Sequence, residues 1–133
     1  MGWLLVVKGK FDAAHRLAGY PGNCADVHGH TWRVEVAVKV DKLNDLGIGV
    51  DFKLLKTALE SILSEFDHGV LKRKGDVMFE KMLTKTVEFP ENPTAEVIAM
   101  EVYRRMKTKL GVIRLEWVRV WESENAYAEY SGE

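Results

Sequence analysis

At 133 residues, with 47% hydrophobic and 29% charged side chains, the chain has the make-up of an ordinary globular domain spanning 1–133. A net charge of −1 with dispersed basic residues excludes the basic field of a nucleic-acid binder, and no run approaches the ~20 apolar residues of a membrane span. The lone cysteine, Cys24, excludes an intrachain disulfide and fits a reducing cytoplasm.

Residues 3–13 form an apolar-rich run that predicts a first strand ending as His15 arrives. The turn formers of residues 19–25, Gly-Tyr-Pro-Gly-Asn-Cys-Ala, predict a loop. From Trp32 the alternation is clean: Trp32, Val34, Val36, Val38 and Val40 fall on one face, Arg33, Glu35, Ala37, Lys39 and Asp41 on the other. If that strand begins as early as His28, parity puts His28 and His30 on the Trp32 face.

After the break at Asp45–Gly49, Asp51 can cap a helix over 52–66 whose apolar stripe is Phe52, Leu55, Leu59, Ile62, Leu63 and Phe66. Gly69 reads as its stop. Residues 70–90 are mixed in charge and weakly periodic, which predicts a loop with room for a short helical turn. Thr94 then caps a second helix with Glu96 in its first turn and Ala95, Ile98, Val102, Met106 and Leu110 on its buried face. Arg114–Trp121 and Ala126–Tyr130 read as closing strands. The predicted order β-β-α-α-β-β is an α+β fold, a four-stranded antiparallel sheet with two helices on one face.

Three of the four histidines fall within sixteen residues, His15, His28 and His30, at the junction of two strands expected to pair. Two histidines at i and i+2 on a strand project from one face, and a third from a neighbouring strand completes a three-nitrogen site with one position open. Neutral imidazole suits Zn²⁺. Cys24 reads three ways: a fourth ligand, a small buried hydrophobe, or a thiolate base beside the cation. Asp67-His68 is either a carboxylate-oriented imidazole or a cation at a helix C-terminus. Glu122 is either a solvated edge residue or an anchor for paired N–H donors. Gly22, His28, His30 and Glu35 also match the first half of a cupin metal motif. That motif needs a histidine in a later strand pair, whereas His68 ends a helical pattern and Glu35 points away from His28 and His30.

With those residues in place, the chain resembles the 6-pyruvoyl-tetrahydropterin synthase and 6-carboxytetrahydropterin synthase family. Phe11-Asp12-Ala13-Ala14-His15, Cys24-Ala25-Asp26-Val27-His28-Gly29-His30, Val50-Asp51-Phe52, Phe66-Asp67-His68, Asn92-Pro93-Thr94-Ala95-Glu96 and Val120-Trp121-Glu122 follow in the family's order. The resemblance implies a tunnelling fold whose units close into a β-barrel, typically a homohexamer with active sites at subunit contacts. It implies Zn²⁺ on His15, His28 and His30 and 7,8-dihydroneopterin triphosphate as substrate. Cys24 would be the base, His68 oriented by Asp67 the proton shuttle, and Glu122 the pterin anchor, with Thr94 and Glu96 beside it. Within the family the short chain points to the 6-carboxy product of the queuosine and archaeosine route, with 6-pyruvoyltetrahydropterin as the alternative. From another class, the alternative is a zinc-stabilised assembly protein without turnover. Two departures stand out: Gly69-Val70-Leu71-Lys72 replaces the usual Leu-Asn after Asp67-His68, and residues 73–90 are long and charged.

Overall fold

The computed structural model describes residues 2–21, 26–77 and 84–132. Its elements run β1 (Trp3–His15), β2 (His28–Val40), α1 (Phe52–Phe66), β3 (Val70–Arg73), β4 (Thr86–Phe89), α2 (Ala95–Leu110), β5 (Arg114–Ser123) and β6 (Ala126–Tyr130). They form one mixed sheet in the order β4-β3-β1-β2-β5-β6. β1, β2, β5 and β6 pair antiparallel, the predicted core of the sheet. β3 adds parallel to the end of β1 at Ala14 and His15, and β4 adds parallel to β3.

The sheet therefore has six strands and mixed pairing rather than four antiparallel strands. Where the sequence predicts a loop over 70–90, Val70–Arg73 and Thr86–Phe89 are strands of four residues each. Strands that short hold two residues per face, too few for a period of two to stand out. Val70, Leu71 and Lys72 are buried in succession, which erases the alternation altogether.

Along β1 the odd residues Val7, Phe11, Ala13 and His15 turn inward while Lys8, Lys10 and Asp12 are exposed. The strand continues through His15, beyond the predicted end. β2 begins at His28, so His28 and His30 continue the row of Trp32, Val34, Val36 and Val38. The helices cover this inner face. α1 seats over Gly9, where a Cβ would lie 2.8 Å from Leu63 Cδ1 and 3.3 Å from Leu59 Cδ2, so a larger residue would require those leucines to shift.

The Phe11 ring stacks 6.0 Å from Trp32 and meets Phe66 edge-on at 5.5 Å, tying both long strands to the end of α1. Asp51 caps α1 by accepting from Lys53 N–H, and Thr94 caps α2 by accepting from Val97 N–H. Phe52 departs from the predicted stripe: it is 56% exposed because α1 starts there, at the rim of the sheet. Nor does Gly69 supply the left-handed turn after α1. His68 does, at φ 61°.

Candidate metal centre

The last residue of β1, His15, sits directly across from the first residue of β2, His28, while His30 lies opposite Ala13. All three imidazoles point to the inner face, with ring centroids 4.5–5.1 Å apart and Trp32 beneath His15 and His30. One ring nitrogen from each lies within 4.8 Å of the others.

The tautomers of two rings are set by backbone carbonyls. His15 Nδ1–H donates to Pro93 O at 2.8 Å, and His28 Nδ1–H donates to Asp26 O at 2.7 Å. A carbonyl can only accept, so in the neutral rings each Nε2 carries a lone pair. Those two lone pairs face each other across 2.9 Å. His30 Nε2 is buried with no hydrogen-bond partner. Facing lone pairs and an orphaned nitrogen are unfavourable unless a cation sits among them. Tetrahedral zinc at roughly 2.0–2.1 Å from each nitrogen spaces its ligand atoms by about 3.4 Å; here the His15–His28 pair is at 2.9 Å and all three nitrogens lie within 4.8 Å.

Burial pushes the His15 pKa down, against the opposing pull of the Pro93 hydrogen bond, and the neighbouring histidines push it further. Burial also lowers His30, opposed by Glu122. Both shifts keep the rings neutral, the form that binds metal.

Glu122 continues the inward parity of Val118 and Val120 and brings Oε2 to 3.9 Å from His15 Nε2. Beside it a groove of about 360 Å³ is lined by Ala95, Glu96, Glu122, Ala126, Tyr127 and Ala128. Glu96 and Glu122, both singled out in the sequence, therefore meet at the head of α2. Thr94 adjoins them through Pro93, its hydroxyl accepting from Val97 N–H at 3.2 Å. Tyr127, missed in the sequence, packs its ring 4.5 Å from Trp121. Its only sequence signal is an aromatic residue on a short edge strand.

Asp67 and His68 stand elsewhere. α1 ends at Phe66, and the left-handed backbone of His68 folds its ring back so that Nδ1 lies 2.9 Å from Asp67 Oδ2. Asp12 grips the pair from the edge of β1: its N–H donates to Asp67 Oδ1 at 2.9 Å, and its carbonyl accepts His68 N–H at 2.6 Å. Thr31 Oγ1 donates to Asp12 Oδ1 at 2.6 Å, and Lys85 Nζ donates to the carbonyls of Ser64 and Asp67. The Asp12 hydrogen bond, then His68 and Lys85, hold Asp67 below the usual carboxylate range. A groove of about 540 Å³ opens here, lined by the outward residues Asp12, Gly29 and Thr31 together with Ala13, His30 and His68.

The predicted site residues thus fall into two groups. His15, His28, His30, Glu122, Glu96 and Thr94 gather on the helix side, whereas His68 stands at the β1 edge, in a groove that His30 also lines. Cys24 lies outside the described residues. Of the nearby basic residues, Arg16 bonds Asp76 at 2.8 Å and Lys8 lies 3.9 Å from Glu35.

A family model for 6-pyruvoyl tetrahydropterin synthase matches residues 4–133. The chain is 30% identical to a 6-carboxy-5,6,7,8-tetrahydropterin synthase of Rickettsia felis, over 90% of this chain and 94% of that one. It is 28% identical to the protein of the same name from Aquifex aeolicus, over the full length of both. In fold it is similar to the crystal structure of 6-pyruvoyl tetrahydropterin synthase from Plasmodium vivax, with a TM-score of 0.81 at 18% identity, covering 100% of this chain and 99% of that one. With a family model over nearly its whole length and a relative 30% identical over 90% of the chain, the chain belongs to the 6-pyruvoyl tetrahydropterin synthase family.

Proposed function

We propose that this protein is a cytoplasmic, zinc-dependent lyase that converts 7,8-dihydroneopterin triphosphate to 6-carboxy-5,6,7,8-tetrahydropterin. The names of the R. felis and A. aeolicus relatives support the product. The observation that carries the site is the convergence of three imidazole nitrogens, two of them 2.9 Å apart with tautomers fixed by carbonyls, next to a carboxylate at 3.9 Å. No helix is long and apolar enough to cross a membrane.

His15, His28 and His30 would hold Zn²⁺, which when bound supplies Lewis acidity to the hydroxyl-bearing side chain of the pterin. Glu122 accepts the paired N–H donors of the pterin ring, and Glu96 and Thr94 border the same groove. A carboxylate receiving two donors in a desolvated groove holds the ring more strongly than it would in water. Cys24, four residues before His28, acts as the base that takes the proton from the side-chain carbon. Asp67 fixes the His68 tautomer with Nδ1–H donated to it, which leaves Nε2 to exchange protons.

Because His68 is tied to Asp67 and Asp12 at the β1 edge and not to the three histidines, it would serve the metal centre of a second copy, with the active site forming between subunits. The β1 edge supports this assembly. Among the described residues it carries no strand beyond β2 from Trp3 to Ala13, since β3 reaches only Ala14 and His15. The part of this edge before Asp12, whose own N–H and C=O are taken by Asp67 and His68, can pair with another chain, as can the outer edge of β6. Closing the sheets into a barrel and then a homohexamer removes both edges.

Incubating the zinc-loaded protein with 7,8-dihydroneopterin triphosphate is the test. Acetaldehyde released together with triphosphate is expected. Triphosphate without acetaldehyde would assign the 6-pyruvoyl product instead, and release of neither would leave a zinc-stabilised assembly protein.

A further inference from the structure

The Pro93 carbonyl sets the His15 tautomer, and what aims that carbonyl is Asn92. Its side chain forms a closed pair with the backbone of Ala18: Oδ1 accepts Ala18 N–H at 3.0 Å, and Nδ2 donates to Ala18 O at 2.9 Å. Its own carbonyl accepts Thr94 N–H at 2.8 Å, making a tight turn with Pro93 at the centre. Proline fixes its own φ, so this turn has few ways to reorient. Beyond it Thr94 O accepts Ile98 N–H at 2.9 Å, which anchors the turn to α2.

The result is a ring of contacts. His15 and Ala18, three residues apart, are held by Pro93 and Asn92, which are adjacent in sequence. Breaking the Asn92–Ala18 pair frees the segment after His15 from the head of α2, and the His15 imidazole then loses its fixed distance to Pro93 O. An asparagine is required because the pair needs one donor and one acceptor on a single short side chain. Aspartate would set a carboxylate oxygen against Ala18 O.

We propose that Asn92 is a positioning residue of the metal centre, setting its affinity for a divalent transition cation by clamping Ala18 and so holding His15 on the Pro93 carbonyl. The inference rests on the metal-centre reading above. Groups that orient a metal-ligating histidine are worth about 10–100-fold in metal affinity.

Co²⁺ affinity, read from its visible absorption in competition with a chelator, tests this on the full chain alongside melting of the metal-free protein. Asn92→Ala and Asn92→Asp are each expected to bind Co²⁺ about 10–100-fold more weakly than the parent. The control is Asn44→Ala. Asn44 Oδ1 accepts Leu46 N–H at 2.9 Å and Ile48 N–H at 3.0 Å. It lies past the far end of β2, roughly 40 Å of strand from the histidines. This control is expected to lower the melting temperature while keeping Co²⁺ affinity within about twofold of the parent. Affinity within twofold for both Asn92 variants overturns the proposal, as does an equal loss in Asn44→Ala. Should Asn92→Ala not fold, Asn92→Asp, which keeps the acceptor for Ala18 N–H, carries the test. Failure of the parent to bind Co²⁺ would instead overturn the metal centre itself.

Discussion

The inner face of β1 and β2 and the edge of β1 carry two different kinds of chemistry on the same stretch of strand. On the inner face His15 is 1% exposed, its ring fixed by a carbonyl and its pKa lowered by burial. At the edge the His68 side chain is 79% exposed, and its ring is held by the Asp67 carboxylate, which Asp12 N–H stabilises as the anion. The inner face presents neutral nitrogens to a cation, and the edge presents an imidazole with a charged partner for moving a proton. Strand geometry permits both, because the histidine side chains leave one face of the sheet while the Asp12 N–H and C=O leave the β1 edge. Among the described residues no hydrogen bond or ion pair joins the two groups within one chain, and His30 alone of the triad also lines the groove of His68.

Breaking the inner half should produce the largest effect. His28→Ala removes a ligand and leaves too few nitrogens to hold the metal. Several kcal/mol of Lewis-acid stabilisation then disappear, and turnover should fall by at least about a thousandfold. His68→Ala should also abolish most turnover while leaving Co²⁺ binding unchanged. The comparison is sharpest when the two inactive proteins are unfolded, mixed and refolded together. If each site takes its metal ligands from one copy and His68 from another, about a quarter of the sites regain both halves by random assembly. No recovery in the mixture would place His68 in the same copy's site and sink the two-copy arrangement.

The antiparallel core, both helices and their caps were legible because their signals are local and repeated: Trp32 to Val40 alternates, and the helical stripes recur over four turns. The triad was legible because His28 and His30 share a parity that the strand then enforced. What escaped the sequence depends on contacts between distant segments. β3 and β4 exist because Gly69 O and Lys85 O accept from Ala14 and Val70, across gaps no period reports. Asp67 and His68 were identified as a pair, but their place at the β1 edge follows from Asp12, which precedes Asp67 by 55 residues. Asn92 and Pro93 read only as the start of a helix, since their tie to Ala18 and His15 spans more than seventy residues.

The two groups should also titrate in separate windows in the metal-free protein. The folded pKa values of His15 and His30 lie below the ordinary 6.5, so near and below that pH the unfolded chain binds more protons. Stability is thus full above about 6.5 and declines as pH falls toward the lowered folded values. Asp67 is depressed from 3.8, so its contribution persists at mildly acid pH and is lost only as pH falls through its still lower folded value. Urea midpoints measured from pH 8 to 3 should show the first decline in the parent and His68→Ala but a flatter curve in His15→Ala. A parent midpoint independent of pH between 7 and 5 would contradict the inner-face shifts.

The smallest effect should come from His68→Gly, and its sign is informative. A non-glycine residue in the left-handed region is strained by about 1–2 kcal/mol, which glycine relieves. Against that stand the entropy glycine loses on folding, about 0.5–1 kcal/mol, and the loss of an exposed ion pair worth little in water. The variant should therefore be within about 1 kcal/mol of the parent, on the stabilising side, with Co²⁺ affinity unchanged and turnover lost. Together these outcomes would show that the strained backbone of His68 is kept for its ring and not for the fold, as expected where strain gathers at a working site. A loss of more than about 1 kcal/mol would mean the His68 ring helps hold α1 on β1, and that the group at the β1 edge is a structural brace as much as a proton-moving one.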